Sequence, residues 1–87
     1  MMLSLDLEGY VSDDSRKKVY AKLEELQWYK LSHLTTVWRC QFESQQSEAF
    51  MIGVAKRDVA AATAAGGVTR YHAAVLAGDS PPSEFGA

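Results

Sequence analysis

The chain has 87 residues, a formal net charge of −2, one cysteine and two histidines. A chain this short buries only about 60% of the surface its unfolded form exposes, so it folds as one domain and gains from self-association. The charge argues against a sequence-independent grip on nucleic acid and leaves room for a local basic patch; Cys40 alone forms no internal disulfide and completes no ordinary four-ligand zinc site with two scattered histidines; and no apolar run approaches the roughly 20 residues of a membrane span.

Met1, Leu3, Leu5 and Leu7 alternate with Met2, Ser4, Asp6 and Glu8, the period-2 signature of a strand with one buried face. Asp6 and Glu8 then share its other face. The start lacks a basic leader, which makes the cytoplasm the expected compartment. Gly9 ends the pattern, and Ser12-Asp13-Asp14-Ser15 offers side-chain oxygens to unpaired helix N–H groups. Val19, Leu23 and Leu26 follow at helical spacing, so the first helix is expected over 13–27, with a mixed-charge solvated face. Trp28 and Tyr29 after it are expected to cap the core.

A second strand is expected over Thr35–Phe42, where Trp38, Cys40 and Phe42 alternate with Val37, Arg39 and Gln41 and turn toward the helices. Residues 43–48 read as a hairpin loop. Phe50, Ile52 and Val54 restart the alternation for a third strand, with Gly53 tolerated inside it. A helix over 47–65 is the competing reading of the same residues. Alanine-rich composition after Lys56 predicts a second, slim helix that starts near Asp58 and stops at Gly66-Gly67. The last strand spans roughly Val68–Leu76, with Tyr71, Ala73 and Val75 on one face and Arg70, His72 and Ala74 on the other. Gly78-Asp79-Ser80-Pro81-Pro82 terminates it, which leaves 77–87 as a flexible tail and 1–76 as the domain.

Two strand-helix-strand units joined by a hairpin give an α+β sandwich: a four-stranded antiparallel sheet in the order 4-1-3-2 with both helices on one face. This is the ferredoxin-like βαββαβ arrangement. On the open face Asp6 and Glu8 should lie near Arg70 and His72, with Met51 across the third strand and Val37 and Arg39 farther along.

The first 42 residues carry a Leu-Ser-Leu-Asp strand, a Ser-Asp-Asp-Ser cap, a basic helix opening Arg16-Lys17-Lys18, then Trp28 and Thr35-Thr36-Val37-Trp38. In these features the chain resembles the small CRISPR-associated dimeric ferredoxin-like proteins and the related fold group of VapD-type ribonucleases and the GhoS-type antitoxin. The resemblance implies a homodimer with Asp6 at its interface and, in the enzymatic members, metal-dependent phosphodiester cleavage. The few basic residues in the second half and the proline-containing tail depart from that pattern.

Two functions compete on this reading. In the first, the open face of a homodimeric interaction or regulatory module (antitoxin, immunity or defence-accessory type) binds protein, with Met51, Val37 and Ala74 as an apolar centre and Glu8, Arg39 and Arg70 as a charged rim. In the alternative, two Asp6 carboxylates hold one Mg²⁺ across a twofold axis and His72 moves a proton, giving a metal-dependent nuclease. No cofactor is expected in the first case, and single-stranded nucleic-acid binding ranks below both because the aromatic residues mostly point inward.

Overall fold

The computed structural model describes residues 1–31, 37–40, 47–76 and 83–86. Its elements follow in the order β1 (Met2–Leu7), α1 (Asp13–Glu25), β2 (Tyr29–Lys30), β3 (Val37–Arg39), α2 (Glu48–Ala65), β4 (Tyr71–Leu76) and β5 (Ser83–Gly86). The strands form one sheet in the order β2-β3-β1-β4-β5, antiparallel at every step. Read from the β4 side, the first four strands stand in the expected 4-1-3-2 order. The assignment of residues to strands differs at two of them, and a fifth strand is added.

Helix α1 starts where the sequence places it. The Ser12 hydroxyl accepts from the Ser15 amide at 3.1 Å, Asp13 and Asp14 occupy the first turn, and Val19 and Leu23 face the core. It ends with a left-handed residue, Gln27 (φ 73°), whose amide donates to Glu24 while the Trp28 amide donates back to Leu23. This paired closure satisfies the last carbonyls of the helix. Gly67 (φ 70°) repeats it at the end of α2, where the Gly67 and Val68 amides donate to Ala64 and Thr63.

The expected third strand is not formed, because Phe50–Val54 belong to α2. The Ser47 hydroxyl caps this helix by accepting from the Phe50 amide at 3.1 Å. Ile52, Ala55, Val59 and Ala62 then recur at helical spacing and meet the core. Over five residues a 2-residue alternation and one side of a helix look alike, and the cap resolves them in favour of the helix. Asp58, expected at a helix start, therefore lies mid-helix and is 3% exposed.

The strand pairing with β3 is the two-residue β2, Tyr29↔Arg39 and Lys30↔Trp38. Ser83–Gly86, read from the sequence as part of a flexible tail, pairs with β4, and Phe85 packs on the core under Lys56. Phe42 and most of the expected hairpin loop lie outside the described residues. The core lies between the sheet and the helices: Leu3, Leu5, Trp38, Ala73 and Val75 from the strands meet Val19, Leu23, Ala55, Val59 and Ala62 from the helices. Trp28 is fully buried among them, as expected, whereas Tyr29 is 55% exposed.

A candidate site on the open sheet face

Strand alternation turns Leu3, Leu5, Ala73 and Val75 toward the helices and sends Met2, Ser4, Asp6, His72, Ala74 and Leu76 to the other side. The register lines the open face in rungs. One rung holds Tyr29, Arg39, Met2 and Leu76, and the next holds Val37, Ser4, Ala74 and Glu84. A third pairs Asp6 with His72. The fourth is Glu8 beside Arg70, where the Glu8 amide donates to the Arg70 carbonyl at 3.0 Å.

The face thus divides into an apolar end and a charged end. Around Ser4, the side chains of Met2, Val37, Ala74 and Leu76 line a shallow depression of about 220 Å³. Met2 and Leu76 are 42% and 40% exposed, a large apolar exposure for neighbouring residues on so small a sheet. At the charged end, Arg70 Nη2 stands 3.8 Å from Glu8 Oε2 and His72 Nε2 stands 3.4 Å from Glu84 Oε1. These pairs are exposed, so each adds at most about 1 kcal/mol to stability.

The expected constellation is largely assembled: Asp6, Glu8, Val37, Arg39, Arg70 and His72 share the open face. Met51 does not join them, because it lies on α2 as part of a helix, half-buried on the opposite layer. The residues missed from sequence are Tyr29, Glu84, Met2 and Leu76. Tyr29 and Glu84 sit on strands too short to show a period. Met2 and Leu76 lie on the correct face of strands that were recognised, and their contribution follows from the register alone.

As a metal site, the arrangement in one chain is incomplete. Asp6 is exposed beside a single histidine, and among the described residues no group of three His, Cys, Asp or Glu is placed to hold an ion. A shared site would need carboxylates from two copies.

Two other places hold polar groups. A cleft of about 370 Å³ opens at the far end of the sheet between Gly9, Tyr10, Ser12, Gly67, Thr69 and Arg70. Inside the core, the Asp58 carboxylate accepts from Trp28 Nε1 at 2.9 Å and also meets Arg57 Nε at 3.5 Å. Cys40, 8% exposed, takes the inward position expected for it. Burial pushes its thiol above the ordinary value of 9.0, the Asp58 charge acts in the same direction, and the terminal ammonium opposes them.

Comparison with protein-family models, curated proteins and solved structures finds no match to this chain. Among the described residues, no helix is long and apolar enough to cross a membrane.

Proposed function

We propose that this protein is a small homodimeric interaction module, of the regulatory, antitoxin or immunity kind, whose working surface is the open face of its sheet and whose first partner is a second copy of itself. The observation that carries this reading is the apolar depression around Ser4, bounded by Met2, Val37, Ala74 and Leu76. Both helices pack against the other side of the sheet, and no described element covers these groups, so a partner on this face would remove them from water. A surface that sets an exposed apolar area beside charged groups suits a protein interface. Charges of both signs, Asp6, Glu8 and Glu84 against Arg39 and Arg70, make the surface able to complement itself. Tyr29 is the one aromatic residue on this face among those described, which falls short of the successive stacking rings of a single-strand platform.

Light scattering on the purified chain tests the reading. The expected mass is that of two copies. Leu76→Asp and Met2→Asp, both at exposed positions, are expected to give monomers with an unchanged circular dichroism spectrum. A wild type that stays monomeric at high concentration, or a dimer indifferent to both substitutions, would overturn the reading. So would RNA or DNA cleavage by wild type in Mg²⁺ or Mn²⁺ that is lost in Asp6→Ala, since it would place an enzyme on this face.

A further inference from the structure

The two central strands of the open face carry complementary series. Along β1 the outward residues are Met2, Ser4, Asp6 and Glu8; opposite them on β4 stand Leu76, Ala74, His72 and Arg70. Each rung therefore pairs like with like in size and, at the charged end, acid with base.

From this pattern we infer that two copies stack face to face about a twofold axis that runs parallel to the strands and passes between β1 and β4. The inference rests on the interaction reading above and adds the orientation of the pair. About that axis β1 of one copy lies over β4 of the other. Met2 then meets Leu76, Ser4 meets Ala74, Asp6 meets His72 and Glu8 meets Arg70, with the same four contacts repeated by symmetry. Sheets that pack face to face keep their strands within about 30° of each other, so rungs near the axis stay in step.

Other axes use the same surface less well. An axis over β1 stacks Asp6 on Asp6 and Glu8 on Glu8, and an axis over β4 stacks Arg70 on Arg70. An axis across the strands through Ser4 sets Met2 and Leu76 against Asp6 and His72, which desolvates charges on apolar side chains. Of these axes, the one between β1 and β4 alone joins apolar to apolar and acid to base along the two central strands. It also gives β5 a role in the pair, because β3 of one copy then covers β5 of the other, with Val37 opposite Glu84 and Arg39 one rung away. Strand β2 overhangs the contact and leaves Tyr29 outside it. An axis over β1, or one across the strands through the Asp6 rung, would instead stack the two Asp6 carboxylates directly on each other, whereas this orientation offsets them by one strand spacing.

Single-cysteine variants decide between the axes. Val37, Ala74 and Glu84 lie on one rung, so Val37→Cys, Ala74→Cys and Glu84→Cys are made on a Cys40→Ser background, mixed in pairs and treated with a short bismaleimide. Where Cys40→Ser does not fold, the buried native Cys40 is retained and the same mixtures are compared. Val37→Cys is expected to cross-link to Glu84→Cys several times faster than to itself or to Ala74→Cys, since strands about 4.8 Å apart offset the two Val37 positions by roughly 14 Å along the sheets, and Val37 from Ala74 by one strand, on top of the roughly 10 Å between the sheets. Preferred coupling of Val37→Cys to Ala74→Cys would move the axis onto β1. Preferred self-coupling would turn it across the strands, and either result would overturn the orientation while leaving the dimer intact. A wild type that is monomeric in light scattering would instead overturn the interaction reading, and the orientation with it.

Discussion

Gly53 and Gly66 lie at the interior and the end of α2 in opposite surroundings. A Cβ at Gly53 would meet nothing within 4 Å, whereas one at Gly66 would stand 2.6 Å from both the Ser15 carbonyl oxygen and Val19 Cγ2. Gly53→Ala should therefore raise stability by about 0.5–1 kcal/mol through helix propensity. Gly66→Ala should lower it by roughly 1–3 kcal/mol, since α1 has to move; urea midpoints of the two variants should shift in opposite directions. Cys40 gives a prediction in pH. Its thiol is raised in the folded state, so the unfolded chain loses that proton first, and stability present below the ordinary value of 9.0 is lost as pH climbs toward the folded value. Cys40→Ala should lose stability less steeply than wild type above pH 9, whatever its offset at neutral pH. Equal slopes would show that the thiol does not contribute. Much at this scale was legible in the sequence, where Trp38 and Cys40 facing inward and Asp6 and His72 facing outward follow from alternation. The burial of Asp58 was not, because its partner Trp28 lies 30 positions away and no local pattern joins them.

Elements with a sustained period, β1, α1 and β4, could be read almost to their ends. Those without one could not. Phe50-Met51-Ile52-Gly53-Val54 alternates like a strand and carries a glycine, yet Ser47 caps a helix that continues through it. Misplacing those five residues sent Met51 to the wrong layer and left β2 unrecognised, since two residues show no alternation. Strand β5 follows a proline pair, which in sequence signals only that the preceding strand stops. The helices are tied to the sheet edge by the Trp28 indole, which donates to Asp58 at 2.9 Å and anchors the turn from α1 into β2. Asp58→Ala removes that acceptor from a fully buried donor and should cost about 1–3 kcal/mol, with Asp58→Asn recovering part of the loss because its carbonyl can still accept. Thermal unfolding followed by circular dichroism measures both. If the two variants lost the same amount, the hydrogen bond would not be what holds the anchor.

For the molecule as a whole, topology was readable from the order of patterns even where two patterns were misassigned. A ferredoxin-like order of four strands survives, because the short β2 takes the edge position that the sequence reading gave to Thr35–Phe42, and β3 takes the inner one. The residues read as a candidate surface fall on one face for the same reason: β1 and β4 are central strands, both were recognised, and both supply its charged rungs. What the layered arrangement implies for assembly is a matter of valence. With α1 and α2 occupying one side of the sheet, the other side is the broad face each copy offers among the described residues, and a twofold contact that uses that face is complete at two copies. If the proposed homodimer forms, a different protein that recognises the same face would have to compete with the second copy for it. Its apparent affinity would then weaken as the concentration of this chain rises, so the amount of the protein in the cell would itself set how much of it is available to bind.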